Sequence, residues 1–177
     1  LVGPGAGTTT KTMRFTEEIL KNIKYVVLDA DSLNSFKNKT KKLLKYLDKN
    51  KIITPHQAEF HRLFPLIDKN LTNREKVLIF LKLCKSNILL KGNNTIIGSR
   101  NKIIINSHTS SELAVIGSGD VLAGIIASLV GDQKMSIYEA ACAGVWLHGD
   151  IARRHGRALI SEDLIKGIAH ALKKLKK

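Results

Sequence analysis

Apolar and polar positions follow two periods along this chain. Short runs of β-branched and aromatic residues, IKYVVL at 23–28, KIITP at 51–55 and NILLK at 87–91, are continuous rather than alternating. Such runs mark strands covered on both faces, and each is followed by turn chemistry, in DADSLN, PHQAE and GNN. TIIGS and KIIIN, on either side of Arg100 and Asn101, read as a hairpin. Between these runs the period lengthens to that of a helix. Lys41 to Tyr46 with Leu43, Leu44 and Leu47 gives one stripe, QAEFHRLF a second, and EKVLIFLKLC a third behind the T-x-x-E capping box of Thr72–Glu75. Further on, a helix is expected from about Asp120 to Val130. An S-x-x-E box at Ser136–Glu139 opens YEAACAGVWLHGDIARR, and a last helix starts near Ser161. Strands alternating with helices predict an α/β fold: a three-layer α-β-α domain, single over 1–177, around a mainly parallel sheet.

Composition changes this picture little. The 177 residues are 44% apolar, enough for a substantial core. No run is long enough to span a membrane and no targeting segment is visible, so the expected location is cytoplasmic. The formal charge of +14 comes mostly from lysines spread along the chain, without aromatic interleaving, which argues for solvated faces rather than a nucleic-acid surface. Cys84 and Cys142 lack CxxC spacing and read as free buried thiols. LVGPGAG resembles the end of a strand and a glycine turn, so the chain reads as a partial domain.

The chemistry gathers where strands end. In an open parallel sheet, ligands bind beyond the carboxyl ends of the strands, and GPGAG, DADSLN, TPHQAE and KGNNT all fall there. The stretch AVIGSGDVLAGIIASLV poses a puzzle, because glycine costs a helix about 1 kcal/mol relative to alanine. Glycine-rich turns at helix N-termini expose backbone N–H groups that bind phosphoryl groups. Asp120 would then take a proton from a substrate hydroxyl, or else merely cap the helix. VLAGIIASLV lacks a polar face and is expected to be buried all round. His148 and His56 have structural readings as well, a satisfied core histidine and a helix cap.

GPGAG, VVLDADSLN, TPHQAEF, ILLKGNNTIIGS, LAVIGSGDVLAGIIASL, EAACAGVWLHGDIA and ALISEDLIKGI occur in the order and approximate spacing of a known family. The chain resembles the ADP- or ATP-dependent NAD(P)H-hydrate dehydratases of the ribokinase-like superfamily, lacking the first strands of the domain. The resemblance implies a repair lyase: ADP or ATP phosphorylates the added hydroxyl of hydrated NADH or NADPH, and phosphate is then eliminated. It implies Asp120 as catalytic base and substrate contact, Gly7 and His56 as further substrate contacts, and Gly117, Ser118 and Gly119 as the anion hole. Lys91, Gly92, Asn93, Asn94 and Thr95, with Gly119, would bind the nucleotide. Asn34 and Glu59 would support Mg2+ and phosphates through water, with no direct metal ligand. A homo-oligomer is implied, with an epimerase as partner domain or protein. Ile116 stands where the family usually has glycine, and Gln57–Ala58 where it has Pro-Gly. The alternatives are a hydroxymethylpyrimidine or hydroxyethylthiazole kinase of the same superfamily, and an inactive or split-gene fragment.

Overall fold

A computed structural model describes residues 1–100 and 102–175. Its elements, in chain order, are α1 (Thr10–Asn22), β1 (Val26–Leu28), α2 (Ala30–Asn34), α3 (Thr40–Leu44), β2 (Lys51–Ile53), α4 (Gln57–Leu63), α5 (Asn73–Leu83) and β3 (Asn87–Leu90). These are followed by β4 (Thr95–Ser99), β5 (Lys102–Asn106), α6 (Ser118–Gly131), α7 (Ile137–His155) and α8 (Ser161–Leu175). The strands lie in the order β1-β2-β3-β4-β5. β1, β2 and β3 pair in parallel, extended by a parallel bridge from Val2 to Leu28. β4 and β5 add the expected hairpin, pairing antiparallel; Asn101 at its tip lies outside the described residues.

Side-chain parity divides the core. Leu28, Ile53, Ile88, Leu90 and Ile96 face one cluster with Phe60 of α4, Phe80 of α5 and Phe36 from the turn after α2. Their neighbours Val27, Ile52, Leu89 and Ile97 point the other way, against α6 and α7. β1 to β4 bury both faces, which is why β1, β2 and β3 read as unbroken apolar runs, whereas the edge strand β5 leaves Ile104 and Ile105 exposed. α8 packs outside on α6 and α7 through Leu164 and Ala171. The result is the expected three-layer architecture.

Two expectations need correction. α6 is not buried all round: Leu122, Ala123, Ile125 and Ile126 are covered, while Asp120 and Ser128 are exposed. The open face carries Gly124, Ala127 and Ser128, small residues that make little apolar area to hide. Cys84 and Cys142 are free thiols but only half-buried, and burial raises the pKa of both. α1 was not anticipated from the pattern. Among the described residues no helix is long and apolar enough to cross a membrane.

Candidate functional site: a cleft at the carboxyl ends of the parallel strands

β1, β2 and β3 end side by side, and the loops leaving them converge. Lys91, just after β3, donates its backbone N–H to Pro55 O at 2.9 Å, in a bridge that sets it beside His56. Its ammonium reaches across to Asp29, just after β1, with Nζ 2.8 Å from Oδ1. Asp29 is 1% exposed and its second oxygen, Oδ2, has no partner. A carboxylate so stripped of water needs its counter-charge, so Lys91 is held by a strong local demand.

The other wall is the N-terminus of α6. Gly117 caps that helix in the left-handed region, φ 81°, where a side chain would be strained and would also crowd Ser161. Val121 makes the first helical hydrogen bond, to Gly117 O, and the Ser118 amide is tied to Val115 O. The amides of Gly119 and Asp120 are therefore the ones left without an intrahelical acceptor. A Cβ on residue 119 would lie 3.2 Å from Lys91 Nζ, so the glycine lets the ammonium settle against the helix end. An ammonium and two free amides at the positive end of a helix dipole are the groups that anion binding calls for.

Between these walls lies a cleft of about 480 Å3. Lys91, Gly92, Asn93, Thr95, Ser118 and Gly119 line it together, as sequence spacing alone could only suggest. Thr109, Ser110 and Ser111 close its far side. Sequence reading named their loop but gave it no role; three consecutive hydroxyl residues before the glycine turn were the available signal. Asn94 is exposed at the rim, outside the lining set.

Of the remaining candidates, only His148 also lines this cleft; Asp120, His56, Glu59, Asn34 and Gly7 lie outside its lining. Asp120 is exposed in the first turn of α6, in its third position, and the cap itself is Gly117; the capping alternative for Asp120 is excluded. It faces a neighbouring cleft of about 420 Å3 between α6 and α8, so consecutive residues 119 and 120 open onto adjacent spaces. His56 is the cap of α4, its Nδ1 accepting from the Ala58 and Glu59 amides at 3.1 and 3.4 Å. In return the His56 amide donates to Oε2 of the buried Glu59 at 2.8 Å. Asn34 accepts from Arg62 Nε at 2.9 Å, and the Gly7 amide donates to Asp31 at 2.8 Å. His148 is the satisfied core histidine expected, its Nε2 against Ser118; burial lowers its pKa to about 4, partly opposed by the bond to the Ser118 carbonyl.

The sequence family model described as NAD(P)H-hydrate dehydratase matches residues 1–170. An ADP-dependent (S)-NAD(P)H-hydrate dehydratase of Neisseria meningitidis is 40% identical over 163 residues, 86% of this chain and 53% of that protein. A bifunctional NAD(P)H-hydrate repair enzyme of Moorella thermoacetica is 32% identical over 184 residues, 98% of this chain and 34% of its own. The chain thus spans about half the length of the first relative and about a third of the second. Among solved structures, the Bacillus subtilis ADP/ATP-dependent NAD(P)H-hydrate dehydratase co-crystallised with ATP/Mg2+ and soaked with CoA superposes with a TM-score of 0.76 at 24% identity. That match covers 98% of this chain and 64% of that structure, and shows a common fold. Since one family model accounts for the strand-end loops, the glycine turn and the helices behind them in a single register, the chain belongs to the NAD(P)H-hydrate dehydratase family.

Proposed function

We propose that this chain provides the phosphoryl-transfer half of an ADP- or ATP-dependent NAD(P)H-hydrate dehydratase. The observation that carries the reading is the meeting of Lys91 with the free amides of Gly119 and Asp120 at one end of the cleft. There the nucleotide phosphates would lie against Lys91, Gly119 and the KGNNT turn. The substrate would approach from the side of Asp120.

In this arrangement Asp120 accepts the proton of the added hydroxyl while its oxygen forms a bond to the terminal phosphorus. The bond from phosphorus to the nucleotide's bridging oxygen breaks, and the amides and Lys91 hold the charge on the moving group. The carbon–oxygen bond of the phosphate ester then breaks, inorganic phosphate leaves with the bonding pair and the proton of the neighbouring ring carbon passes to water, which restores the nicotinamide double bond. Gly7 and His56 contact the substrate in this reading, Gly7 on the turn after the Val2 bridge and His56 on the loop that leaves β2.

Mg2+ fits the donor set in one way. Among the described residues there is no group of three His, Cys, Asp or Glu side chains that could hold an ion directly. Mg2+ commonly needs only one or two carboxylates beside phosphates and water. Glu59, whose Oε1 lies 3.6 Å from His56 Nε2, and Asn34 would serve a hydrated ion, which would neutralise phosphate charge. The partners proposed are an epimerase domain or protein, in keeping with the bifunctional relatives, and a second copy of the chain.

The test is recovery of reduced nicotinamide from hydrated NADH with ADP, ATP and Mg2+, using this chain and a version extended upstream to the length of its relatives. Nucleotide-dependent recovery by the extended protein is expected. If it neither binds adenine nucleotides nor restores the ring, the proposal fails.

A further inference from the structure

His148 is a buried titratable residue that the proposed chemistry does not use, yet it lines the cleft. Its Nε2 lies 3.0 Å from the Ser118 carbonyl oxygen and 3.1 Å from the Ser118 hydroxyl oxygen. A carbonyl can only accept, so Nε2 must carry a proton; a lone pair facing that oxygen would be repelled. The same N–H then also faces the hydroxyl oxygen, which can receive from it but cannot donate to it. The hydroxyl proton has to point elsewhere. Ser118 is 4% exposed, and His148 is the one side-chain or backbone partner its hydroxyl finds among the described residues. The open direction is the cleft that Ser118 itself lines, beside Gly119 and Lys91.

We infer that His148 is a positioning residue: it fixes the Ser118 hydroxyl with its proton turned into the cleft, adding a third donor for a bound phosphoryl group beside the Gly119 and Asp120 amides. The hydroxyl is thereby prepared before the anion arrives. A freely turning hydroxyl would have to be ordered upon binding, at an entropic cost. A neutral imidazole suits the task, because a charged one would compete with Lys91 for the anion. Burial and the nearby Lys91 ammonium both favour the neutral ring. This inference rests on the cleft being a phosphate site, and its test separates the two.

Ring 15N–1H correlation spectra of this chain at neutral pH are expected to show His148 uncharged, protonated on Nε2 and bare on Nδ1. A ring protonated on Nδ1 alone, or on both nitrogens, overturns the inference. ADP affinity supplies the functional readout. Ser118→Ala and His148→Phe should each weaken ADP binding about tenfold, as expected for one hydrogen bond to a charged group, and leave adenosine binding unchanged. The double variant should be no weaker than either single one, because both remove the same donor. His148→Gln, which restores an N–H near the same place, should recover most of the affinity; a purely packing role would leave Gln no better than Phe. Additive losses, or no loss with Phe, would also overturn the inference. If the unaltered chain binds no ADP, the nucleotide reading of the cleft fails, while the ring spectra still decide which way the hydroxyl is held.

Discussion

Asp120 owes its freedom to where α6 begins, three residues before it at the Gly117 cap. Had it been the cap, its carboxylate would have been spent on the helix's own amides; with Gly117 in that place it stands free in the first turn. Asp120→Asn is therefore expected to abolish turnover in the extended enzyme while ADP affinity changes less than threefold, measured by titration calorimetry. Retained turnover would remove it from the role of base. Lys91 carries a structural duty as well. Lys91→Met leaves Asp29 buried without its counter-charge, and urea unfolding should show a loss of about 3 kcal/mol, the usual cost of breaking a buried pair. Adding Asp29→Asn should return much of it, because the stranded charge is gone. Of this residue-level picture, the glycines and Asp120 were legible in sequence, since a turn and a helix start are local. The Asp29–Lys91 pair was not: its members lie 62 positions apart, and only the parallel pairing of β1, β2 and β3 brings them together.

At the scale of elements, legibility followed how openly each segment displayed its period. α5 and α7 were visible from their capping boxes, and both boxes are formed as expected. Ser136→Ala should cost about 1 kcal/mol in thermal or urea unfolding, because it removes the side-chain acceptor for the Glu139 amide. Ser136→Asp should restore most of that. α1 stayed hidden because its buried positions are not all apolar. Met13 and Leu20 hold the expected stripe, but Thr16 and Glu17 sit between them on the covered side. The Thr16 hydroxyl donates to the Thr12 carbonyl at 2.8 Å and Glu17 forms an ion pair with Lys42 at 2.6 Å, partners that no hydrophobic pattern reveals. α6 erred in the opposite direction: an all-apolar sequence implied complete burial, whereas its small residues leave one face open.

For the whole molecule, His148 ties stability to pH. Its folded pKa, about 4, lies below the ordinary 6.5, so the unfolded chain binds the proton more readily. Stability from this group is complete above about pH 6.5 and falls as pH drops towards 4, by about 3 kcal/mol in all. His61, shifted down by burial and by Lys76 and Lys69, adds to the same trend. Unfolding free energies measured from pH 7.5 to 4 should fall less in His148→Phe than in the unaltered chain; identical slopes would contradict the assignment. Nothing in the local sequence announced this coupling, since it depends on α7 packing across the start of α6.

That packing bears on how fast a ligand can come and go. One turn of α7 holds His148 against Ser118, and its next residue, Gly149, lies so close to the His108 carbonyl that a Cβ would meet it at 2.1 Å. Trp146, one turn back, stacks on the His108 ring with centroids 5.4 Å apart. α7 thus joins the start of α6 to the segment that precedes Thr109 on the far side of the cleft. For a nucleotide bound as proposed, the expected consequence is that residence times track affinity across variants of Lys91 and Thr95, measured by stopped-flow displacement; a release rate independent of affinity would point to a separate opening step.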